Sequence, residues 1–436
     1  MFDVLIIGAG PAGVALAYAL KAKNQSVAVV ERFLWGGVCP NFGCDPTKAM
    51  MAVVEAKHRV ADLAGQGISG DLTIDWAGLR GRKINITDPY EKQTLDGFKA
   101  SGITTFYGDA RFTTDGKVQV ADEVIEAKKV VIATGTRARK LSIPGGELMA
   151  DSNDFLLLDV LPETMIFVGT GPVTLELAQI AHAAGADVTV IAAHGLAVPH
   201  FDRELADSFL SRLKADGIHF EENIAIEKVE KTADGKLRLT GADGFALTSD
   251  YIVAGVGRLA NVESLGLENV GVETDRGGIL VNEFLQTANP DIYAMGDVLS
   301  KALGHLTPVS SFEADYLGHE LDAENPTAID YPVIPSVVYG PTKLAEVGVL
   351  SGDGLRLKTL DMTNWYSYKR ISDPLAKAKI AMNAAGEIVG ASVVSTVAEE
   401  LINLITLLIE TKVAAGDIQK FIMAYPTIAS DLEYLY

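Results

Sequence analysis

The chain has 436 residues, too many for one compact core and about right for three domains at the usual ~100–200 residues each. Hydrophobic residues make up 48% and charged residues 22%, a globular composition, and no apolar run approaches the ~20 residues of a membrane helix. The 37 Lys and Arg residues against 57 Asp and Glu residues give a formal net charge of −20, which repels nucleic-acid phosphates. We therefore expect neither a membrane nor a nucleic-acid partner.

The N-terminal segment argues against a secretory signal. Asp3 lies where a signal peptide carries basic residues, and Gly8 ends the apolar run too early for a signal-peptide core. With only two cysteines in the chain, a disulfide scaffold is excluded as well. These features predict a cytoplasmic protein.

The first elements in the chain predict a dinucleotide site. A buried strand at residues 4–7 leads into the turn GAGPAG, a helix over 14–23 and a second strand at 27–30 that ends on Glu31. The first glycine of the turn permits a tight bend, the second lets the backbone approach a pyrophosphate, and the third allows close helix–strand packing. An acid at the end of the second strand can accept a ribose hydroxyl. The complete pattern favours a nucleotide site over a plain glycine-rich turn.

The two cysteines follow this unit directly, in the segment WGGVCPNFGCDPTK over residues 35–48. The spacing of Cys39 and Cys44 differs from the CxxC pairs of zinc sites, and no second pair supplies further ligands, so we expect no metal. If Cys44 begins a helix, the N-terminal amides favour its thiolate, and Cys39 is close enough to bridge to it. On the cysteines alone, a redox-active pair and two buried, inert thiols both remain open.

A second, imperfect copy of the nucleotide unit begins near residue 164. A strand at 165–168 leads into the turn GTGPVT, a helix over 175–184 and a strand at 187–191. Thr174 stands in place of the third glycine. Two such units predict two nucleotide cofactors, because each positions one pyrophosphate. A Rossmann-like fold with weak or lost binding is the alternative.

The second copy also lacks the ribose-binding acid. Ala192 and Ala193 stand where that acid is expected, and His194 follows them. Without the acid a 2′-phosphate is not repelled, and His194 could donate to it, which favours NADPH with tolerance of NADH.

The remaining chain predicts one more nucleotide-domain strand and a third domain. Residues 130–136 predict a buried strand that ends in a turn, with a boundary near residue 150, and residues 323–326 predict a hinge. Beyond the hinge, the predicted strands and helix cover 336–339, 380–383, 388–394 and, for the helix, 397–411. This pattern indicates an α+β domain.

Three segments resemble the signatures of one family. Residues 36–48 are similar to an active-site segment GGTCxNxGCxPSK, with Val38 for the usual Thr. The turn Ala133–Gly135 matches an alanine–threonine–glycine signature, and TANPDIYAMGD at 287–297 resembles a second FAD motif. Along essentially its whole length the chain resembles the FAD-dependent pyridine nucleotide–disulfide oxidoreductases, which include glutathione reductase, dihydrolipoamide dehydrogenase and mercuric reductase.

The resemblance implies an α/β fold with two Rossmann-like nucleotide-binding domains and a C-terminal α+β dimerisation domain. The FAD domain would span 1–150 and 270–325, the NAD(P) domain 151–269, and the dimerisation domain 326–436. The implied FAD contacts, with Asp297 at the ribityl chain and Leu306 and Thr307 beside the flavin ring, are Gly8, Gly10, Pro11, Ala12, Gly13, Glu31, Gly37, Ala133, Thr134, Gly135, Gly296, Asp297, Leu306 and Thr307. The implied NAD(P) contacts are Gly169, Gly171, Thr174, His194 and Gly257.

The implied chemistry passes a hydride from the nicotinamide to the flavin, then two electrons to the Cys39–Cys44 disulfide and on to a substrate disulfide. By resemblance Cys44 is the flavin-facing charge-transfer thiolate and Cys39 the interchange thiol. Lys48 and Glu176 match the family's ion pair near the reactive edge of the flavin. An ordinary surface lysine and an ordinary helix-start glutamate are the alternative.

The C-terminal segment departs most from the family pattern. The family's HPTxxE segment, donated across a dimer interface, carries the acid/base histidine, but here the sequence is YPTIAS, beginning at Tyr425. A phenol has a pKa of ~10 against ~6.5 for imidazole, so Tyr425 can protonate a leaving thiolate but is a poor base. It resembles the tyrosine of coenzyme A disulfide reductases, which use one cysteine where this chain has two. Packing at a subunit interface is the alternative.

These observations together predict a homodimeric, NAD(P)H-dependent flavoprotein that reduces a low-molecular-weight disulfide and serves cell redox homeostasis. One alternative is a dihydrolipoamide dehydrogenase of a 2-oxoacid complex, which the missing histidine argues against. The other is a redox-sensing flavoprotein with slow turnover. The substrate stays open, because specificity lies in the groove between subunits.

Overall fold

A computed structural model describes residues 1–302 and 304–436. They form two compact units. The first comprises Met1–Pro46, Lys83–Arg139 and Gly257–Asp330, and the second comprises Thr47–Arg82, Lys140–Val256 and Tyr331–Tyr436. In the described residues, no helix is both long enough and apolar enough to cross a membrane. The three domain boundaries inferred from the sequence stay a prediction.

The strands of the described chain are numbered in chain order. They are β1 Phe2–Ile7, β2 Val27–Glu31, β3 Thr104–Tyr107, β4 Ala110–Phe112, β5 Val118–Val120, β6 Glu123–Ile125, β7 Ala127–Ile132, β8 Thr136–Ala138, β9 Thr164–Val168, β10 Asp187–Ala192, β11 His219–Glu222, β12 Ile226–Lys231, β13 Leu237–Gly241, β14 Ala246–Ser249, β15 Tyr251–Ala254, β16 Arg258–Ala260, β17 Ile292–Ala294, β18 Ser336–Val338, β19 Lys343–Gly348, β20 Arg356–Asp361, β21 Lys377–Met382 and β22 Ile388–Ser395.

The helices are numbered in the same way. They are α1 Pro11–Ala22, α2 Val38–Phe42, α3 Cys44–Asp62, α4 Trp76–Thr87, α5 Pro89–Ser101, α6 Ser152–Leu156, α7 Pro172–Ala183, α8 Arg203–Ala215, α9 Thr307–Glu320, α10 Tyr366–Lys369, α11 Ala398–Glu410 and α12 Ala415–Ile418. Short 3₁₀ helices cover Gly146–Leu148, Ala242–Gly244, Leu267–Val270, Gly296–Val298 and Ile428–Leu435.

The first unit is built on a parallel sheet in the order β17-β7-β1-β2-β3. Its central strands are runs of Val, Ile and Leu without polar alternation, which is typical of a sheet covered on both faces. Helix α1 buries Leu16, Ala17 and Leu20 in the same core. The glycine-rich turn therefore lies at the carboxyl end of β1, where open α/β sheets bind ligands.

The second unit contains a parallel sheet, β11-β10-β9-β15, and an antiparallel sheet, β18-β19-β22-β21-β20. Helix α7 follows β9 as α1 follows β1, so the second nucleotide unit repeats the first. Helix α11 buries Leu401, Ile402, Ile405 and Leu408, which recur at helical spacing, in the core of the antiparallel sheet. The predicted α/β class is confirmed.

Several predicted elements begin too late in the sequence. Helices predicted over 14–23 and 175–184 begin instead at Pro11 and Pro172, because proline suits the first helical position, where no intrahelical N–H bond is needed. The strand predicted at 130–136 is Ala127–Ile132, and the one at 380–383 begins at Lys377. In β21 Lys377 and Lys379 alternate with less polar residues, whereas β7 has two consecutive lysines, Lys128 and Lys129, near its start. Such a polar beginning is easily mistaken for a loop.

Candidate active site

The first glycine-rich turn lies between β1 and α1 and leaves room for a phosphate group. A Cβ added at Gly13 would lie 2.0 Å from the Gly8 carbonyl oxygen, and one at Gly8 2.3 Å from that of Ala133, so both glycines are needed for packing. Gly10 differs, because in the described part of the chain no atom outside its two chain neighbours lies within 4 Å of its Cβ position. Gly10 is also the N-cap of α1, and no side chain among the described residues caps this helix end. Its amide groups are thus available to an anion.

Glu31, at the end of β2, is held beside this turn. Its carboxylate accepts hydrogen bonds from the backbone N–H groups of Ala9 at 2.9 Å, Arg32 at 2.8 Å and Phe33 at 2.9 Å. An oriented acid next to an uncapped helix N-terminus with open space at Gly10 fits the ribose and pyrophosphate of FAD.

The second FAD motif is held by a buried carboxylate that sequence reasoning missed. Glu313 on α9 is fully buried, accepts from the Gly296 N–H at 2.5 Å and pairs with Lys301 at 2.6 Å. The carboxylate of Asp297, next to Gly296, lies 3.5 Å from the Ser310 hydroxyl. A glutamate at a core position of an otherwise small and apolar helix face was the signal available in the sequence.

The other predicted FAD contacts lie in the same unit. Thr134 follows β7 and exchanges hydrogen bonds with Asn261 at 2.8 and 2.9 Å, which orders the predicted turn. Leu306 is the N-cap of α9, and Thr307 is its first residue. Pro11 and Ala12 lie in the first turn of α1.

The cysteines lie beside the first glycine-rich turn. A Cβ at Gly37 would lie 2.4 Å from Gly10 Cα, so the cysteine segment packs directly on this turn. Cys39 lies in α2, and α3 begins at Cys44, which confirms that Cys44 begins a helix. The Thr307 hydroxyl lies 3.6 Å from the Cys44 sulfur.

The two thiols contact each other and differ in exposure. A hydrogen bond with Cys44 and burial raise the pKa of the Cys39 thiol well above its ordinary value. Cys39 is half-buried whereas Cys44 is exposed, which argues against two buried, inert thiols. In residues 1–302 and 304–436, no group of three or more His, Cys, Asp or Glu side chains is arranged to hold a metal.

The second glycine-rich turn accommodates its missing glycine. Thr174 is buried and donates from its hydroxyl to the Gly255 carbonyl at 3.3 Å. A Cβ at Gly255 would lie 2.0 Å from the Thr174 hydroxyl oxygen, so the position that faces Thr174 requires a glycine. Gly171, the N-cap of α7, has open space at its Cβ position, as Gly10 has. The turn therefore keeps the shape that fits a dinucleotide pyrophosphate.

The predicted specificity residues of the second turn follow β10. Ala192 is the last residue of that strand, and Ala193 and His194 beyond it are exposed.

Two glycines were also predicted to contact NAD(P). Gly169 adopts φ +107° in the turn. Gly257 belongs to the first unit and accepts from the Arg139 N–H at 3.0 Å. Its predicted contact with NAD(P) stays a prediction.

Lys48 and Glu176 form an ion pair within the second unit. Lys48 Nζ lies 2.5 Å from Glu176 Oε2, and the Tyr339 N–H donates to Glu176 Oε1 at 3.0 Å. The Glu176 side chain is only 5% exposed. Burial raises the pKa of Glu176, and the Lys48 charge opposes this rise. Glu176 is thus a buried partner of Lys48 and not a surface glutamate.

Tyr425 lies on the surface of its own protomer. Its side chain is 70% exposed and stacks on Tyr366, with ring centroids 6.0 Å apart and planes 19° apart. Ser430, at the position of the family's glutamate, donates its N–H to the Thr427 hydroxyl at 3.2 Å and accepts from the Thr427 N–H at 3.2 Å. Ser430 therefore completes a helix capping box instead of orienting an acid/base group.

Comparison with known proteins places this geometry in a family. A model described as pyridine nucleotide-disulphide oxidoreductase matches residues 2–314, and a model of the dimerisation domain of that class matches residues 334–435. The chain belongs to the pyridine nucleotide-disulphide oxidoreductase family. It is an enzyme of this class, whose typical cofactors are FAD and NAD(P)H, and it holds the two cysteines in contact. The predicted family, fold class and enzyme class are confirmed.

The chain is also similar to individual members over its full length. A dihydrolipoyl dehydrogenase from Bacillus subtilis (strain 168) is 30% identical over 450 residues, which cover 98% of this chain and 94% of the relative. A dihydrolipoyl dehydrogenase from Chlamydia pneumoniae is 29% identical over 444 residues, covering 98% and 95%. The solved structure of the HOCl-induced flavoprotein disulfide reductase RclA from Escherichia coli shares the fold, with a TM-score of 0.90 at 24% identity and coverage of 100% and 99%.

Proposed function

We propose that this protein is a homodimeric NAD(P)H-dependent reductase of a low-molecular-weight disulfide. The observation that carries the proposal is the contact between Cys39 and an exposed Cys44, packed through Gly37 on a turn that fits FAD. The net reaction consumes NAD(P)H, a proton and the substrate disulfide, and it yields NAD(P)⁺ and two thiols.

The proposed catalytic residues exchange thiols, donate a proton or stabilise charge. FAD, which the turn Gly8–Gly13 and Glu31 would hold, would supply a two-electron carrier between the nicotinamide and the Cys39–Cys44 disulfide. The Cys39 thiolate then attacks the substrate disulfide, and the first product leaves as a thiolate, which Tyr425 protonates. Cys44 attacks the Cys39 sulfur, which releases the second thiol and restores the disulfide. The Lys48 cation, held by Glu176, would offset negative charge on the reduced flavin, which is the role that the family pattern implies for this ion pair.

A dihydrolipoyl dehydrogenase activity is the second candidate. It is supported by the full-length similarity to several proteins of that name, including the one from Bacillus subtilis. Oxidation of a dithiol needs a base that accepts thiol protons, and a phenol at the position of Tyr425 accepts them poorly near pH 7. A small-disulfide reductase therefore suits these residues better. A redox-sensing flavoprotein is the third candidate, and it would show low turnover with every disulfide.

A disulfide panel separates the three candidates. The purified protein is reconstituted with FAD, and turnover is measured with oxidised glutathione, cystine derivatives, coenzyme A disulfide and lipoamide, each with NADH and with NADPH. We expect rapid reduction of one small disulfide and slower oxidation of dihydrolipoamide. Preference for dihydrolipoamide would establish the second candidate, and slow turnover throughout would favour the sensor. Failure of the protein to bind FAD would contradict all three.

A further inference from the structure

Tyr339, which directly follows β18, contacts both members of the Lys48–Glu176 pair. Its backbone N–H donates to Glu176 Oε1 at 3.0 Å, and its ring centroid lies 4.6 Å from Lys48 Nζ. Its carbonyl accepts from the side-chain amide of Gln179 at 3.1 Å. One residue therefore reaches the carboxylate, the ammonium and the helix α7 that carries the carboxylate.

The carboxylate of Glu176 depends on the Tyr339 backbone. With its side chain only 5% exposed, Glu176 needs a partner on each oxygen to offset the loss of water. Lys48 serves Oε2, and the Tyr339 N–H serves Oε1. The backbone packs closely on α7 here, because a Cβ at the next residue, Gly340, would lie 2.2 Å from the Gln179 side-chain oxygen.

The ammonium of Lys48 depends on the Tyr339 ring. The Lys48 side chain is 36% exposed, and an ion pair formed by a long, partly exposed lysine restricts the ammonium only weakly. An aromatic face within about 6 Å attracts a cation through its quadrupole. The Glu176 oxygen and the Tyr339 ring thus limit the ammonium to one region.

We propose that Tyr339 is a positioning residue for Lys48, which rests on the role proposed above for the Lys48–Glu176 pair. The ring keeps the ammonium beside the Glu176 carboxylate, where the proposed function uses its charge, and the backbone N–H keeps that carboxylate in the orientation that holds the ammonium. Tyr339 itself transfers neither a proton nor an electron.

The test compares Tyr339→Leu with the matched control Tyr339→Phe. Both variants retain the backbone N–H, but only phenylalanine retains the aromatic face. We expect Tyr339→Leu to slow flavin reduction at saturating NAD(P)H by about three- to tenfold, and to make the flavin midpoint potential more negative. Tyr339→Phe should keep the rate of flavin reduction within about twofold of the wild-type rate. Its flavin midpoint potential should stay correspondingly close to that of the wild type. The potential is measured by dye equilibration without turnover, and Tyr339→Met replaces Tyr339→Leu if the latter does not fold.

Lys48→Met separates failure of this inference from failure of the underlying role. If Lys48→Met alters neither the reduction rate nor the potential, the role proposed for the ion pair is wrong and the inference falls with it. If Lys48→Met alters both and Tyr339→Leu behaves as wild type, only the positioning role of Tyr339 is overturned. Equal losses in Tyr339→Leu and Tyr339→Phe also overturn it, because they assign the effect to the hydroxyl. If Tyr339 acts through Lys48, Tyr339→Leu adds nothing further in the Lys48→Met background.

Discussion

At the scale of single residues, the two cysteines have different surroundings. Cys44 is exposed at the start of α3, whereas Cys39 is half-buried with a raised thiol pKa caused by its hydrogen bond with Cys44 and by burial. Two-electron reduction should expose two titratable thiols and produce a long-wavelength absorption band from a thiolate beside the flavin. We expect Cys44→Ser to abolish the band and Cys39→Ser to retain it. Full disulfide reductase activity in both variants would contradict the proposed electron path.

Tyr425 supports a second prediction at this scale. If its phenol protonates the departing thiolate, Tyr425→Phe slows disulfide turnover by the ~10²–10⁴-fold typical of general acid catalysis, and flavin reduction by NAD(P)H is unchanged. Stopped-flow measurement of each half-reaction checks this expectation. Tyr366→Leu is the control, since it removes the ring stacked on Tyr425 but keeps the phenol of Tyr425. A loss below about threefold in Tyr425→Phe would favour a packing role instead.

At the scale of elements, two glycines of the turn between β1 and α1 have different roles. Gly13 is needed for folding, and Gly10 is predicted to be needed for cofactor binding. Gly13→Ala would place a methyl group 2.0 Å from the Gly8 carbonyl oxygen, whereas Gly10→Ala meets no atom of the described residues within 4 Å beyond its two chain neighbours. We expect Gly13→Ala to lower the melting temperature of the FAD-free protein. Gly10→Ala should leave that temperature unchanged but weaken FAD binding, as measured by fluorescence titration, because its methyl group occupies the space predicted for the pyrophosphate. Equal FAD affinity in Gly10→Ala and wild type would contradict the predicted site.

The end of β10 supports a prediction about the nicotinamide cofactor. Ala193 and His194 are exposed there, and no acid occupies the two positions after the buried part of the strand. The ratio of kcat/KM values should favour NADPH. Ala193→Asp should reverse the preference by repelling the 2′-phosphate, whereas the uncharged control Ala193→Asn should not. A strong NADH preference in the wild type would show that His194 contributes nothing.

These elements were largely predictable because their signals are local. A strand, glycines and an apolar helix within about 25 residues predict each of the turns at Gly8–Gly13 and Gly169–Thr174. The partners of the site residues are not local. Glu313 reaches Gly296 across 17 positions, and Tyr339 reaches Glu176 across 163, so no periodicity or spacing could pair them. The contact of Thr174 with Gly255, which makes room for the threonine side chain, could not be predicted from the sequence for the same reason.

At the scale of the whole molecule, the C-terminal segment raises the question of which subunit uses Tyr425. The ring is 70% exposed in one protomer, and it lies within residues 334–435, which match the dimerisation domain of the family. An exposed aromatic ring in such a domain suits contact with a second copy of the chain. We therefore expect each active site of the proposed homodimer to combine the cysteines of one subunit with Tyr425 of the other.

Mixed dimers purified with two different tags test this expectation. In a dimer of one wild-type chain and one chain carrying both Cys44→Ser and Tyr425→Phe, each site lacks one residue if Tyr425 acts across the interface, so turnover falls to that of the impaired variants. In the reciprocal dimer, with Cys44→Ser in one chain and Tyr425→Phe in the other, one site keeps both residues, and about half of the wild-type turnover remains. The reversed pattern would mean that each subunit uses its own Tyr425. Both dimers have the same composition of substitutions, so a loss of stability cannot produce the difference between them.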